Sequence, residues 1–399
     1  MKLKNISLYN FKGFFEETID LDDRLTVIVG ENGAGKSSVL DAITIILSWV
    51  IARIKNPRGV GHEIKKEQKR KNSKFTHIEA IFNEIELINV NTNRSKSVVR
   101  TQEFDKYCND IREKIEQTEG KTSIPIFVKY GVRRAVVDIP LKIKNSHDES
   151  LKGDANFRTF FEWFRYQEDI ENEIFRETGE VCDRELKTIR ESISKFMPGF
   201  KNLRVKRNPL RMVVDKDGKE FAVNQLSDGE KTYIALIGDL CRRLVLANPT
   251  LENPLMGEGI VLIDEIDLHL HPQWQTEIAE KLCDTFPNIQ FIVTTHSPLV
   301  ITNVKTEQLR VLKTEDGVTK LVDNDYSYAL PVSIILKDVM GIKNELPKEI
   351  EEKIELTHQY IQNNDLDKAK ALHDELKTSS PNLPELVRIR KFIEIKSLK

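Results

Sequence analysis

The chain has 399 residues and a formal charge of −2; 39% of its residues are hydrophobic and 31% are charged. This length allows one large or two ordinary domains, and the charge balance excludes a global basic field as the basis of nucleic-acid binding. The four cysteines form no C-x-x-C pair, which argues against a zinc site or a disulfide framework and favours a reducing cytoplasm.

Strand-like and helix-like segments alternate from the N-terminus onward. Apolar runs predict three strands and then a helix, at 6–11, 17–21, 25–29 and 38–54. Alternating segments between 77 and 104 predict an antiparallel sheet. The apolar stretch at 42–52 is interrupted by Thr44 and Ser48 and is too short to cross a bilayer, so we expect no membrane partner.

A glycine-rich loop follows the third predicted strand. Gly30–Ser37 reads G-x-x-x-x-G-K-S between a strand and a helix, which is the context that a phosphate loop requires. Successive backbone N–H groups and the positive end of the helix face an anion there. We expect Lys36 to reach the β- and γ-phosphates of a nucleotide and Ser37 to hold Mg²⁺.

The middle of the chain is more polar. Residues 56–75 contain seven Lys or Arg, so this run is either a mobile solvated loop or a grip for phosphates. Residues 156–196 predict a short helical hairpin whose many charges, among them 168–173, we expect on solvated faces. A β-hairpin is predicted at 203–221 across the turn Asp215–Gly218.

Two acids follow a buried strand further along. The apolar run at 260–263 and a strand at 290–294 are separated by a helix at 271–285, which implies a parallel sheet. The acids lie at the carboxyl end of the first strand, where ligands bind in such sheets. We expect Asp264 to hold Mg²⁺ opposite Ser37, and Glu265 to accept a proton from the attacking water.

Two other motifs each have two interpretations. Ser227 precedes a helix at 232–246 and Glu230 follows it by three residues. This is either an anion site for a phosphate held by another copy of the chain or an ordinary capping box. His296 follows the strand at 290–294, where it either senses a γ-phosphate through a hydrogen bond or is a satisfied loop histidine.

With these motifs in order, the chain resembles the ABC-type ATPases of the RecF/SMC/OLD group. The match covers Tyr9–Phe14, the Walker A loop, the signature at Leu226–Glu230, the Walker B pair Asp264–Glu265 and the switch histidine His296. The resemblance implies ATP clamped between the Walker A loop of one subunit and the signature of another, with Asp267 as the D-loop acid.

The resemblance also implies a set of site residues. Those that would bind the nucleotide on one subunit are Lys12, Asn32, Gly33, Ala34, Gly35, Lys36, Ser37 and Ser38. Those that would act from the other subunit are Ser227, Asp228, Gly229 and Glu230. The catalytic residues would be Glu265, His296 and Lys36, with Ser37 and Asp264 on the metal.

A closer resemblance is to the short ATPases of bacterial anti-phage systems of the Septu PtuA type, which are also found beside some retrons. It rests on the stretches 133–141, 160–164, 209–214 and 262–272. It implies phage defence as the role and a partner nuclease of the HNH type encoded nearby.

The chain departs from the ABC pattern at two places. Gly131–Arg134 stands where a Q-loop glutamine is expected after the strand that ends at Tyr130. Asp228 replaces the usual glycine of the signature, which leaves the rate of hydrolysis open.

The fold class that we predict is α/β. It is a P-loop NTPase with ABC-ATPase head architecture, a mixed sheet plus an antiparallel subdomain, a short helical insertion and C-terminal helices. We divide the chain into the N-terminal part of the head, the helical insertion, the C-terminal part of the head and a C-terminal helical region, at 1–150, 151–200, 201–325 and 326–399. The last region is either a docking surface, through Ile350, Ile354 and Leu356, or simple packing.

Three functions follow from these observations. The first is a cytoplasmic ATP-hydrolysing subunit of a defence complex, which regulates a separate HNH-type nuclease by nucleotide-dependent dimerisation. The second is a RecF/SMC-like DNA-repair ATPase that binds DNA through basic patches, at 58–74 and at Lys201, Arg204, Lys206, Arg207 and Arg211. The third is a nucleotide-gated scaffold with little turnover. The sequence has no Toprim pattern after His296 and no H-N-H metal site, so any nuclease chemistry belongs to another chain.

Overall fold

The computed structural model describes residues 1–83, 85–92, 96–132, 157–179, 184–322, 330–341 and 346–397. The chain divides into two units, Met1–Ile335 and Leu336–Lys399. The strands are β1 (Leu3–Tyr9), β2 (Glu16–Asp20), β3 (Leu25–Gly30), β4 (Phe75–Phe82), β5 (Ile85–Thr92), β6 (Lys96–Arg100), β7 (Ile126–Tyr130), β8 (Phe200–Arg207), β9 (Leu210–Lys216), β10 (Lys219–Ala222), β11 (Gly259–Ile263), β12 (Ile289–Thr294), β13 (Leu309–Glu315) and β14 (Val318–Val322).

Helices cover and connect these strands. They are α1 (Lys36–Lys55), α2 (Gln102–Gln117), α3 (Phe157–Thr178), α4 (Arg184–Phe196), α5 (Asp228–Ala247), α6 (Pro272–Thr285), α7 (Pro298–Ile301), α8 (Val332–Ile334), α9 (Lys348–Gln362), α10 (Leu366–Ser379) and α11 (Glu385–Ser397). Short 3-10 turns lie between some of them, and a π-helical turn covers Ile335–Val339.

A six-stranded sheet forms the centre of the first unit, in the order β14-β13-β3-β12-β11-β7. All of its neighbouring strands are parallel except the pair β13 and β14. Every residue of β3, β11 and β12 is buried, as is typical of strands that are covered on both faces. Because these strands are parallel, their carboxyl ends meet at one edge of the sheet.

A second, antiparallel sheet has the order β2-β1-β4-β5-β6. Its inner face packs on α1 in one hydrophobic core, which includes Ile6, Ile78 and Val39. The predicted mixed sheet with an antiparallel subdomain is therefore confirmed. Helix α1 is also long and apolar enough to cross a membrane, but 56% of its most apolar window is buried inside the protein, where it forms this core.

The helical insertion differs from the expectation in its charges. Helices α3 and α4 lie within 157–196 as predicted, but Glu168 and Glu171 are buried rather than solvated. The guanidinium of Arg190 donates to both carboxylates, at 3.1 Å and 3.0 Å. Helical periodicity alone does not reveal such a pair, because here the partner of the two carboxylates lies on another helix.

Two β-structures were incompletely predicted. The hairpin at 203–221 is a three-stranded sheet, β8 to β10, because the chain turns at Asn208–Pro209 as well as at Asp217–Gly218. The pair β13 and β14 was not predicted at all. Its turn is Asp316–Gly317, and Asp-Gly between strand-like segments is a hairpin signal.

The basic run at 56–75 is mostly exposed to solvent, but it is bonded to other parts of the first unit. The Nε1 of Trp49 donates to the carbonyl of His62 at 2.9 Å, and Ile64 is buried. The backbone N–H of Arg70 donates to the carbonyl of Asn10 at 2.8 Å.

The second unit, described by itself, is a three-helix bundle of α9, α10 and α11. Its core consists of Ile361, Ala369, Leu376, Leu386, Ile389 and Ile393. Ile350 and Ile354 pack against this core, so two of the three residues named for docking serve the bundle itself. Leu356 is 39% exposed.

A buried ionic cluster joins α5 to β7. Asp239 is fully buried and accepts hydrogen bonds from Arg242 at 2.8 Å and Arg243 at 2.7 Å. The hydroxyl of Tyr130 donates to the same carboxylate at 3.0 Å. Although burial opposes it, the two guanidinium groups lower the pKa of Asp239, so the carboxylate is charged.

We expect Asp239→Ala to lower the free energy of unfolding of the first unit by about 3–5 kcal/mol, because it leaves two buried guanidinium groups without their carboxylate. Urea unfolding followed by tryptophan fluorescence measures this, since Trp49, Trp163 and Trp274 all lie in that unit. The control Asp284→Ala, at an exposed position of α6, is expected within about 0.5 kcal/mol of the parent. Equal stability of the two variants would contradict a structural role for the cluster.

Candidate functional site

The glycine loop has the backbone that its sequence demands. Gly33 and Gly35 have φ values of 83° and 86°, in the left-handed region that favours glycine. A Cβ on Gly30 would lie 2.3 Å from the carbonyl oxygen of Leu312, so no side chain fits at this close approach of β3 and β13. Helix α1 begins at Lys36, and its first N–H groups are therefore available to an anion at the loop.

The Lys36 side chain lies over this loop and is only 6% exposed. Its ammonium donates to the carbonyls of Gly30 at 2.9 Å and Glu31 at 3.0 Å. Burial lowers the pKa of Lys36, while the carboxylates of Glu265 and Asp264 act in the opposite direction. The loop, its lysine and the two acids after β11 thus form one electrostatic group.

Asp264 is the centre of the hydrogen bonds in this group and is 5% exposed. Its Oδ1 accepts from the hydroxyl of Ser37 at 3.1 Å and from the hydroxyl of Thr294 at 2.6 Å. Its backbone N–H donates to the carbonyl of Tyr130 at 2.8 Å. One residue therefore links α1, β12 and β7 at the carboxyl edge of the sheet.

Thr294 is a site residue that the sequence reasoning did not identify. Its hydroxyl donates to Asp264 and also accepts from the backbone N–H of Glu265 at 2.7 Å. Glu265 has a φ of 49°, so the chain turns sharply at this acid. The sequence does contain a signal for this role, a threonine at the end of the strand next to β11. A hydroxyl at that position can bond both acids that follow β11.

Asp267 and His296 meet in the next turn. One carboxylate oxygen of Asp267 accepts from the hydroxyl of Thr295 at 2.5 Å and from the backbone N–H of His296 at 3.3 Å. Burial, followed by the charge of Lys36, lowers the pKa of His296. The imidazole is therefore neutral at pH 7 and can act as a hydrogen-bond acceptor or donor near the loop.

The signature motif forms a capping box. Ser227 is the N-cap of α5; its hydroxyl accepts from the N–H of Glu230 at 3.3 Å, and the Glu230 carboxylate accepts from the N–H of Ser227 at 2.9 Å. Although burial opposes it, Lys216 and Ser227 lower the pKa of Glu230. The capping box is therefore present. The helix end is also open to solvent, since Ser227 and Asp228 are exposed.

The hydrogen bonds of the signature side chains are made with neighbouring residues of α5 and β9. Among the described residues, the side chains of Ser227, Asp228 and Glu230 bond to one another, to Lys216 and to Lys231. Gly229 packs against the segment after Walker B, where a Cβ would lie 2.0 Å from the carbonyl oxygen of His269. That contact requires glycine at this position of the signature.

Lys12 lies beside the first turns of α1. Its ammonium and that of Lys129 each contact a carboxylate oxygen of Asp41, at 2.5 Å. Although burial opposes it, these two lysines lower the pKa of Asp41. The structure thus holds Lys12 near the start of α1 through Asp41. The sequence did not identify Asp41 as a site residue. Its second partner, Lys129, belongs to β7.

The donor set fits a nucleotide-borne magnesium ion. Ser37 and Asp264 provide two oxygen ligands side by side, and in the described part of the chain no three His, Cys, Asp or Glu side chains gather as a metal cage. Mg²⁺ in phosphate-transfer sites is held in this way, by one or two protein oxygens together with substrate phosphates.

At the position expected for the Q-loop, Gly131 and Val132 follow β7. Arg133 and Arg134 lie outside the described residues, as do all residues of the stretch 133–141.

A glycine loop, a buried lysine and two acids at the edge of a parallel sheet define a P-loop nucleoside triphosphatase. The flanking antiparallel sheet and the signature helix place it in the ABC class. A family model described as "AAA domain, putative AbiEii toxin, Type IV TA system" matches residues 25–302.

Known proteins give the same assignment. "Retron Vc95 probable ATPase" of Vibrio cholerae serotype O1 biovar El Tor is 35% identical, and the match covers 81% of this chain and 75% of that protein. "Septu protein PtuA" of Bacillus thuringiensis is 24% identical, and the match covers 85% of this chain and 84% of that protein. The chain therefore belongs to the family that this model describes, and it is an ABC-type ATPase of the Septu PtuA group.

The solved structures support the fold. An SMC head, crystallised with the C-winged helix domain of ScpA, matches with a TM-score of 0.51 and 18% identity over 81% of this chain and 98% of that one. At this identity the likeness concerns the fold alone, and it confirms the predicted ABC-ATPase head architecture.

Proposed function

We propose that this chain is the ATP-binding and ATP-hydrolysing subunit of a bacterial anti-phage defence complex in the cytoplasm. In this proposal, nucleotide-dependent dimerisation lets it regulate a separately encoded HNH-type nuclease. The observation that carries the proposal is that the glycine loop and the exposed N-terminus of α5 belong to one chain, with no described side-chain bond between them.

The first half of the cage binds the triphosphate. Backbone N–H groups of Asn32, Gly33, Ala34, Gly35, Lys36, Ser37 and Ser38 surround the phosphates. Lys36 would exchange its bonds to the loop carbonyls for the β- and γ-phosphates, and Lys12 would approach from the side of Asp41. Ser37 and Asp264 would hold Mg²⁺, which supplies charge neutralisation to the phosphates when bound.

Glu265 is the general base of this proposal. Its backbone is fixed by the hydroxyl of Thr294, so its carboxylate lies in the turn just beyond Asp264, where it can accept a proton from a water that attacks the γ-phosphate. Neutral His296 would hydrogen-bond the γ-phosphate, and Asp267 orients it through the backbone N–H.

We expect Glu265→Gln to abolish ATP hydrolysis while ATP binding is preserved, because the amide keeps the shape of the side chain but cannot take a proton. A loss of about 10²-fold or more in kcat is the usual size of such an effect. Phosphate release, nucleotide affinity and size-exclusion chromatography with ATP measure the three properties, and a stable dimer is expected. The comparison variant Lys36→Ala should instead lose nucleotide affinity. Wild-type turnover by Glu265→Gln would exclude this carboxylate as the base.

The second half of the cage is proposed to act on a neighbouring copy. The N–H groups at the start of α5 and the hydroxyl of Ser227 face outward at an exposed helix end, and a helix N-terminus attracts phosphate. The charge of Asp228, which stands where the group has glycine, is expected to weaken this attraction. A rotationally symmetric dimer would then contain two composite sites.

We expect a heterodimer of Lys36→Ala and Ser227→Arg subunits to hydrolyse ATP, although each variant homodimer is inactive. In the mixed dimer one of the two composite sites has an intact Walker A loop and an intact signature, so about half of the parent activity should return. Purification through two different affinity tags isolates the heterodimer for the assay. An inactive heterodimer, or a Ser227→Arg homodimer with parent activity, would show that the site does not span two copies.

Regulation of a partner nuclease is proposed from the relatives, whose names are retron and Septu ATPases. The described residues contain no metal cage for nuclease chemistry, so the proposal assigns that chemistry to a second protein. We propose the C-terminal helical region at 326–399 as its docking region, with the exposed Leu356 as one contact.

We expect an HNH-type reading frame beside this gene, and we expect the pair, but neither gene alone, to reduce phage plaque formation on a host. The ATPase variants Lys36→Ala and Glu265→Gln should each change this protection, because nucleotide binding and turnover control the nuclease. Plating efficiency measures the effect, with a nuclease active-site variant as the control. Protection by the nuclease alone, unaffected by either ATPase variant, would contradict the regulatory role.

The alternative of direct DNA binding through the hairpin loses part of its basis. Arg204 pairs with Asp215 at 2.9 Å and with Glu220 at 2.5 Å, and Lys206 pairs with Glu220 at 2.6 Å. These cations are already neutralised within their own small sheet. The scaffold alternative is tested by the turnover of the parent protein.

A further inference from the structure

Three ring side chains form a row on the antiparallel sheet. Tyr9 and His77 are cross-strand partners of β1 and β4, and their ring centroids are 4.1 Å apart. Phe75 lies two residues before His77 on β4, at 6.5 Å and with an interplanar angle of 28°. Alternate residues of a strand share a face, so the three rings lie on one face.

This face is the outer one. Along β4 the residues alternate, and Ile78 and Ala80 are buried in the core shared with α1. Phe75 is 44% exposed at the end of the row. More than half of the Phe75 surface is covered, and the remainder is open to solvent beside His77.

An ordered basic segment leads into the row. Residues 65–74 are held to the end of β1 by an antiparallel bridge between Phe11 and Lys69 and by the bond from Arg70 to the carbonyl of Asn10. The chain then enters β4 at Phe75. The exposed cations of this segment are Lys65, Lys66, Lys71 and Lys74.

These four lysines differ from the cations of the β8–β10 sheet. In the described part of the chain none of the four has a carboxylate within ion-pair distance, whereas Arg204 and Lys206 are paired. Acids lie near the row as well, and Glu67 lies within the basic segment itself. Glu79 lies two residues beyond His77, at 3.7 Å from its Nε2, and Glu16 is the partner of Tyr9 on β2. Positive charge therefore flanks the Phe75 end.

We propose that the row Tyr9, His77 and Phe75, together with Lys65, Lys66, Lys71 and Lys74, binds single-stranded nucleic acid. Unpaired bases would stack on the rings, and the phosphates would follow the lysines. Rings beside a basic track are the recognition mode for single strands, since every base offers a face to stack on and a duplex hides these faces. The proposal is independent of the nuclease and of dimerisation.

The stacking half is tested with fluorescence anisotropy of a labelled twenty-nucleotide oligo(dT) and of a duplex of the same length, without ATP. Phe75→Ala should weaken binding to the single strand by about tenfold and leave duplex binding unchanged. The matched control is Phe175→Ala on α3, where the ring is 49% exposed, and it should bind like the parent. Equal affinity for duplex and single strand, or an unaffected Phe75→Ala variant, would overturn the proposal.

The electrostatic half is tested by the salt dependence. For Lys71→Ala combined with Lys74→Ala, the slope of log affinity against log salt should fall by about 1.4, because each phosphate contact to a single strand contributes about 0.7. The control combines Lys370→Ala with Lys377→Ala, two exposed lysines of α10. An unchanged slope, or binding to anionic lipid vesicles in preference to oligo(dT), would refute the surface. ATP hydrolysis by all variants serves as the check on folding.

Discussion

The hydrogen bonds that converge on Asp264 hold the nucleotide site together. Its carboxylate accepts from Ser37 on α1 and Thr294 on β12, and its backbone donates to Tyr130 on β7. Because Asp264 is almost fully buried, these bonds are stronger than they would be in water and an unpaired partner would be costly. Ser37 at the end of the glycine loop, Asp264 after β11 and Thr294 at the end of β12 are therefore held together at one edge of the sheet.

Helix α5, which begins at the signature, contacts the residues around this site at two points along its length. Gly229 packs on the carbonyl of His269, a few residues after the Walker B acids, while Asp239 on α5 bonds to the hydroxyl of Tyr130. Tyr130 thus contacts α5 through its side chain and Asp264 through its carbonyl. Helix α5 is therefore fixed both near its N-terminus, at Gly229, and near its middle, at Asp239.

Local patterns predicted the elements of the site well, but predicted its side-chain contacts less completely. Gly30–Ser37 and the two acids that follow β11 were identified because their signals lie within a few residues. Thr294, Asp41 and Lys129 were missed, since each acts only on residues far away in the sequence. The charges at Glu168 and Glu171 were misassigned to a solvated face, because their pairing with Arg190 depends on how α3 packs on α4.

By itself the sequence determined the phosphate loop, the two acids after a buried strand and the family. Each of these depends on residue types at short spacing, which backbone geometry converts directly into local structure. The tertiary structure alone decided which groups meet. Ser37 and Asp264 are 227 residues apart in the sequence. They meet because β3 and β11 run parallel in one sheet and are separated by the single strand β12. The tertiary structure also decided that the basic segment before β4 is bonded to Asn10 and Phe11, directly after β1, because pairing between distant segments of the chain is not encoded by any periodicity.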